Sequence, residues 1–173
     1  MATLNVEVQR FSVTTSSSFE SVLSKLEASV SHPDVQAFTR EMAASQSPAE
    51  LERIVQKVVG PTGIMEFTRF NIGEVLRIER GPGSARILRL VIGNPLIMKE
   101  MAKHVPDAAS YAPVTILIDE RPDGVHLSYD RMASYLSPYG SEEALKVARE
   151  LDDKIEAMLT AAAGQEAYPI QRN

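Results

Sequence analysis

The fold class follows from residues 112–130, which read APVTILIDERPDGVHLSYD. The apolar run at 114–118 is followed by Asp123-Gly124 and then by a second run in which apolar and polar residues alternate. An Asp-Gly dipeptide between two such runs is typical of the tight turn of a β-hairpin, and a hairpin requires antiparallel pairing. The sequence therefore predicts two adjacent antiparallel strands.

An apolar strand meets a helix upstream, in residues 90–105, LVIGNPLIMKEMAKHV. Asparagine is among the best N-cap residues and proline is favoured at the first helical position, so Asn94 and Pro95 explain this junction without a ligand. The alternative is an anion bound by the free amides of the helix N-terminus. That alternative is weaker because Pro95 contributes no amide.

The first sixty residues predict one strand and three helices. Alternation over residues 3–15 indicates a half-buried strand. Residues 17–30 predict an amphipathic helix with a capping box that begins at Ser17. Residues 32–60 predict two short helices, which we interpret as an insertion into a simpler core.

The rest of the chain predicts further strands and two more helices. Residues 62–80 indicate two short strands broken near residues 71–73. A short helix is expected after Asp130, whose carboxylate can cap it. A long amphipathic helix is expected from Ser141, and residues 164–173 predict a mobile tail.

These elements predict an α+β protein rather than a doubly wound parallel sheet, because strands and helices do not alternate regularly. We expect an antiparallel β-sheet with helices packed mainly on one face, and an extra helical pair inserted after the first helix. A chain of 173 residues can bury one sizeable core, so residues 1–163 are expected to form a single domain.

Composition argues against several classes of function. The chain has no cysteine, which removes disulfides, thiolate nucleophiles and cysteine-ligated metals. Its net charge is −5 and Lys and Arg do not cluster, so nucleic acid is not an expected partner. No apolar run approaches the roughly 20 residues that cross a bilayer, and the first residues lack a secretory-signal pattern. We therefore expect no membrane partner and a cytoplasmic location.

The three histidines, His32, His104 and His126, are not spaced as metal ligands. No metal is expected, and the sequence identifies no cofactor. The richest polar assembly is HLSYD at residues 126–130, which carries an imidazole, a hydroxyl, a phenol and a carboxylate. Such groups can support acid–base catalysis, but Asp130 can equally cap a helix and Tyr129 can equally pack its ring. For these residues the sequence favours a structural role over catalysis.

Taken together, several motifs over roughly residues 62–160 resemble the family called domain of unknown function 302. They are the junction Gly93-Asn94-Pro95, the proline motif Tyr111-Ala112-Pro113, the acidic turn Asp119-Glu120 with Asp123-Gly124, and Ser128-Tyr129-Asp130. The resemblance implies a compact α+β fold with helices on one face of an antiparallel sheet, and it is consistent with a homodimer. It implies no established activity and no agreed catalytic residues.

The leading functional hypothesis is a non-catalytic module that binds a small, partly apolar ligand between the sheet and the helix at 95–103. Two alternatives remain: an enzyme with acid–base residues near His126, Tyr129 and Asp130, or a homodimeric interaction or structural protein. No catalytic residue is assigned. The expected ligand-binding residues are Asn94, Met98, Met101, Tyr111, His126, Tyr129 and Asp130.

Overall fold

The predicted hairpin is present in the computed structural model. Strand β4 (Val114–Arg121) pairs antiparallel with β5 (Gly124–Asp130). Gly124 has a φ of 137°, and a Cβ at this position would lie 2.5 Å from the carbonyl oxygen of Thr15 on the next strand. Glycine is therefore required at this turn both for its conformation and for space.

Five strands form one antiparallel sheet within the described residues, 3–165. The remaining strands are β1 (Arg10–Thr15), β2 (Met65–Asn71) and β3 (Ile87–Gly93). Their order in the sheet is β1-β5-β4-β3-β2, so β1 and β2 are its edges. The predicted α+β class is confirmed.

Seven α-helices accompany the sheet in this part of the chain: α1 (Phe19–Ser29), α2 (Val35–Ala44), α3 (Pro48–Val58), α4 (Ile72–Arg80), α5 (Pro95–Ala102), α6 (Met132–Leu136) and α7 (Glu142–Ala162). Short 3₁₀ helices lie at Pro106–Ser110 and Ser137–Tyr139. The long helix α7 contacts α1, α5 and α6 and lies against β5 and β1. None of these helices is both long and apolar enough to cross a membrane.

Alternate side chains of the strands divide the sheet into two faces. The covered face packs against the helices and contributes buried residues such as Leu90, Ile116 and Leu127. We call the other side the open face. Its residues include Arg10, Ser12 and Thr14 of β1; Thr68 and Phe70 of β2; Ile87, Arg89, Val91 and Gly93 of β3; Thr115, Leu117, Asp119 and Arg121 of β4; and His126, Ser128 and Asp130 of β5.

The helical pair expected within residues 32–60 is present as α2 and α3. Asp34 and Ser47 cap these helices with their side chains. Phe38 of α2 and Val55 of α3 form a second buried cluster with Met65 of β2. The pair therefore packs against the edge of the sheet that β2 forms.

Three local predictions near the N-terminal half were wrong. Strand β1 begins only at Arg10, because β5 ends at its partner Asp130 and the residues before Arg10 have no strand beside them. The first helix is capped by Ser18 rather than Ser17. The second of the two strands expected in residues 62–80 is instead α4, because the side chain of Asn71 accepts a hydrogen bond from the amide of Glu74 and so caps a helix.

The C-terminal tail expected at 164–173 falls mostly outside the described residues. Gln165 is described, and its side-chain amide donates a 2.9 Å hydrogen bond to the carbonyl oxygen of Thr14. Residues 166–173 lie beyond the described part of the chain. That residues 1–163 form one domain stays a prediction.

Candidate functional site

A cleft of about 420 Å³ lies on the open face of the sheet. Thr115, Leu117 and Ser128 line it from the central strands, and Tyr111 and Tyr135 line it from the segments beside the sheet. Two arginines also line the cleft: Arg10 on the edge strand β1 and Arg89 on β3. We call this cavity the cleft.

The acidic side chain of the cleft, Asp130, is held by Arg10. The guanidinium of Arg10 donates two hydrogen bonds, of 2.6 and 2.8 Å, to the two carboxylate oxygens. The hydroxyl of Tyr135 is 3.4 Å from the same carboxylate. The hydrogen bonds from Arg10 lower the pKa of Asp130, so the carboxylate stays ionised.

Two stacked tyrosines form one side of the cleft. The rings of Tyr111 and Tyr135 are 4.6 Å apart between centroids and inclined by 14°. The hydroxyl of Tyr111 is 3.1 Å from that of Tyr139, and this hydrogen bond raises the pKa of Tyr139 to about 12. Burial raises the pKa of Tyr135 as well, so the phenols of Tyr135 and Tyr139 are neutral at physiological pH.

Arg89 differs in its ion pairing from the other arginines on the strands or next to their ends. One guanidinium nitrogen is 3.4 Å from the hydroxyl of Thr115, a long contact, and the guanidinium carbon lies 5.5 Å from the ring centre of Phe70. No carboxylate of residues 3–165 forms an ion pair with Arg89. The five other arginines on the strands or next to their ends are all paired: Arg10, Arg69, Arg86, Arg121 and Arg131.

A second, smaller cavity of about 150 Å³ lies at the end of the sheet where β3 meets α5. We call it the slot. Its wall is almost entirely apolar and comes from six elements, namely α2, α5, α7, β2, β3 and β4; it includes Met42, Phe67, Met98, Met101 and Leu151. Pro113 and Val114 line both the slot and the cleft, so the two cavities are neighbours.

Asn94 borders the slot and caps α5, as the sequence predicted. Its side-chain oxygen accepts a 2.8 Å hydrogen bond from the amide of Leu96. Its side-chain nitrogen donates a 2.8 Å hydrogen bond to the carbonyl oxygen of Gly63. Both polar ends of Asn94 are therefore engaged within the protein.

His126 lies on the open face but lines neither cavity. Its Nδ1 is 3.1 Å from the hydroxyl of Thr14, and its Nε2 is 2.9 Å from a carboxylate oxygen of Asp123. The hydrogen bond from His126 lowers the pKa of Asp123. The imidazole is therefore part of a local network at the hairpin end of the sheet.

The hydroxyl of Tyr129 points to the opposite, covered face, where it donates a 2.6 Å hydrogen bond to Asp152 of α7. Asp152 also accepts hydrogen bonds from the amides of Met132 and Ala133. The carboxylate that caps α6 is thus Asp152, and the expectation that Asp130 caps this helix was wrong. Burial raises the pKa of both Tyr129 and Asp152.

The structure thus divides the seven expected ligand-binding residues. Asn94, Met98 and Met101 line the slot, Tyr111 and Asp130 line the cleft, and Tyr129 lines the cleft while its hydroxyl is buried beneath the sheet. The functional groups of His126, Tyr129 and Asp130 do not converge, so they form no common acid–base site. In the described ranges, no group of three or more His, Asp or Glu side chains is placed to hold a metal ion.

Sequence reasoning missed four residues that shape this region: Arg10, Arg89, Tyr135 and Asp152. Two of them could have been noticed in the sequence, because each is a charged residue within an apolar stretch. Arg89 interrupts the strongly apolar strand ILRLVIG, and Asp152 follows Leu151 within the apolar stripe of α7. A charged residue at such a position is either paired or exposed on a functional face.

Comparison with known proteins gives the family and the fold. A family model described as Domain of unknown function DUF302 matches residues 38–162. No curated protein sequence matches the chain. Among solved structures, the crystal structure of the uncharacterized conserved protein DUF302 from Bacillus stearothermophilus is similar, with a TM-score of 0.61 and 11% sequence identity. The similarity covers 88% of this chain and 97% of that one, and at this identity it shows the fold alone.

Proposed function

We propose that this chain, which belongs to the DUF302 family, is a non-catalytic module that binds a small, partly apolar molecule through an acidic group. The family brings a fold and no activity, so the proposal depends on the geometry of the site. One observation carries it: Arg89 is an unpaired cation in a concave cleft of about 420 Å³. That volume falls in the usual range of ligand pockets, about 300–1,000 Å³.

Charge supports an anionic ligand. Arg10 and Asp130 neutralise each other, which leaves Arg89 as the uncompensated charge among the residues that line the cleft. Guanidinium presents a planar fork of donors that matches a carboxylate, and such charge-assisted hydrogen bonds are among the stronger ones in proteins. Hydroxyl groups of Ser128 and Thr115 provide further hydrogen-bonding partners nearby.

Binding is favoured over catalysis because the titratable groups of the cleft are already engaged. The carboxylate of Asp130 is held by two hydrogen bonds from Arg10, and its lowered pKa makes it a poor base. The hydroxyl of Tyr129 is bonded to Asp152 on the other side of the sheet. A bound acid would therefore meet a cation, hydroxyls and apolar surface.

Benzoate titration tests this function. We expect benzoate to shift the backbone amide resonances of Thr115 and Ser128 and to raise the melting temperature of the wild-type protein. Arg89→Gln should weaken binding at least tenfold, because it removes the charge and the donor fork. Arg40→Gln is the matched control, since Arg40 is exposed on α2 and lines neither cavity. Equal effects of the two variants, or no response of the wild type, would contradict the proposal.

Homodimerisation is a second candidate function, and α4 is the observation that favours it. This helix and the residue pair before it expose four large apolar side chains: Phe70 (46% exposed), Ile72 (38%), Val75 (64%) and Ile78 (87%). Apolar side chains clustered on one surface in this way mark an interaction site.

The charges of α4 fit a second copy of the chain. Glu74 lies in the first turn and pairs with Arg77 at 3.0 Å, and Arg80 lies in the last turn next to Glu79. In a two-fold, antiparallel pair of α4 helices, the acidic end of each helix lies opposite the basic end of the other. The same arrangement buries Val75 and Ile78 between the copies.

Light scattering coupled to size-exclusion chromatography measures this assembly. The wild type should have the mass of a dimer, and Ile78→Glu should have the mass of a monomer, because it places a charge in the apolar contact. Leu4→Glu is the control: Leu4 is 53% exposed and lies outside α4. A wild-type monomer at all concentrations, or equal dissociation of both variants, would rule out this interface.

A cytoplasmic location is also proposed, from the sequence pattern alone. Fractionation of cells that express the full chain with a C-terminal epitope checks it. Recovery of the protein in a membrane or secreted fraction would contradict this location.

A further inference from the structure

We infer that the ligand is a medium-chain monocarboxylic acid, and that a single molecule occupies both cavities. Its carboxylate pairs with Arg89 in the cleft, and its hydrocarbon tail enters the slot beneath α5. This inference rests on the proposed function, because it takes the cleft as an acid-binding site and assigns the remainder of the ligand.

The two cavities are close enough for one small molecule. The guanidinium of Arg89 lies beside Thr115, and Thr115 is two residues along the chain from Pro113. At 3.3 Å per residue this separation is about 7 Å, which a short alkyl chain spans. Pro113 and Val114 line both cavities, so a tail that passes Pro113 reaches the slot.

Glycine at position 93 keeps this route open. Alternation along β3 puts Gly93 on the same side of the sheet as Arg89, and Gly93 lines the slot. A Cβ at this position would lie 3.3 Å from Cβ of Pro113 and 3.6 Å from the ring of Phe67. Any larger residue would therefore narrow the slot beside Pro113, which lines both cavities.

The chemistry of the slot suits a hydrocarbon rather than a polar group. Three methionines line it, Met42, Met98 and Met101, and flexible thioether side chains adapt to apolar groups of varied shape. The polar side chain at its border, Asn94, has both ends bonded within the protein and offers nothing to a polar ligand. Apolar cavities of about 150 Å³ accept molecules the size of benzene.

A single charge on the ligand follows from the charges of the site. The described residues that line the slot include no charged side chain, and the cleft has one uncompensated cation. A dicarboxylic acid would place its second carboxylate in the slot without a partner, at a large desolvation cost. The ligand is therefore acidic at one end only.

The experiment is a chain-length series measured by calorimetry: acetate, butyrate, hexanoate and octanoate, each below its micelle concentration. For the wild type we expect affinity to rise about fourfold per methylene until the slot is full, and then to stay constant. Arg89→Gln should weaken every member by a similar factor. Met98→Trp, which fills the slot, should remove the dependence on chain length and leave the affinity for acetate unchanged.

A second measurement needs no variant. With methyl-labelled methionine, hexanoate should shift the methyl resonances of Met42, Met98 and Met101, whereas acetate should not. The methyl group of Met132, which is buried in the main core, is the internal control. Adipate, with a carboxylate at each end, should bind more weakly than hexanoate.

The outcomes separate the two proposals. If no carboxylate binds, or if binding is insensitive to Arg89→Gln, the proposed function fails. If acetate and hexanoate bind through Arg89 with equal affinity, or if hexanoate leaves the slot methionines unshifted, the acid site stands and the assignment of the tail to the slot is overturned.

Discussion

The hydroxyl of Tyr129 donates a 2.6 Å hydrogen bond to Oδ1 of Asp152, across the interface between β5 and α7. The same carboxylate accepts hydrogen bonds of 2.7 and 3.0 Å from the amides of Met132 and Ala133, the first two residues of α6. One buried acid thus joins a strand and two helices. The hydrogen bond to Asp152 also fixes the position of the Tyr129 side chain, and the next residue, Asp130, lines the cleft.

Tyr129→Phe removes one hydrogen bond to this carboxylate. We expect a loss of about 1.5–3 kcal/mol in the free energy of unfolding, since hydrogen bonds to charged groups contribute in this range. Urea denaturation measures the change. Tyr111→Phe is the control: its hydroxyl meets another phenol at a part-exposed site, so its loss should be below about 1 kcal/mol. Equal losses in the two variants would show that the hydrogen bond to Asp152 stabilises the fold no more than the hydrogen bond between the two phenols does.

The pH dependence of stability should carry a contribution from Asp152. Burial raises the pKa of its carboxyl above the ordinary value of 3.8, so the folded protein retains this proton at pH values where the unfolded chain has released it. The resulting stabilisation is fully present below 3.8 and is lost as pH rises through the raised pKa.

Asp152→Asn isolates this contribution because it does not titrate. Its single oxygen can still accept from Met132 and Tyr129, while its amino group replaces the oxygen that accepts from Ala133, a cost that does not change with pH. The stability of the wild type minus that of the variant should fall as the pH increases from 3.8 through the raised pKa of Asp152. Urea titrations at several pH values give the difference. A difference that is constant or increases with pH would contradict the raised pKa.

Asn94 contributes to stability through both ends of its side chain. Asn94→Ala removes the cap of α5 and the donor to the carbonyl of Gly63, and we expect a loss of about 1–3 kcal/mol. Asn94→Ser retains a capping oxygen and should recover about 1 kcal/mol of that loss. Thermal and urea unfolding both report these changes. If the two variants are equally stable, the capping oxygen at position 94 contributes nothing to the free energy of unfolding.

Gly124 should tolerate no side chain. A Cβ there would meet the carbonyl oxygen of Thr15 at 2.5 Å, in addition to the cost of the positive φ, so Gly124→Ala should lose about 3 kcal/mol or more. Gly140 also has a positive φ, but a Cβ at this position meets nothing within 4 Å. Gly140→Ala should therefore cost only about 1–2 kcal/mol. Similar losses in denaturation would show that the contact with Thr15 is relieved by a small shift.

Local signals made much of the fold predictable. The dipeptide Asp123-Gly124 identified the hairpin, and Asn94 with Pro95 identified the start of α5, because turn and cap preferences act within a few residues. The prediction of a strand at residues 72–80 failed although local signals for a helix were present. Ile72, Val75 and Leu76 recur at helical spacing, and Asn71 stands before them as an N-cap residue.

The candidate site, unlike much of the fold, could be identified only from the tertiary structure. The sequence by itself determined which residues alternate along β5, and so put Tyr129 on the face opposite His126 and Asp130. Only the folded chain decided that helices cover the Tyr129 face, that Arg10 lies beside Asp130, and that Arg89 is left without a carboxylate. Strand register and helix packing bring together residues more than one hundred positions apart, and no local preference of the chain encodes which of them will meet.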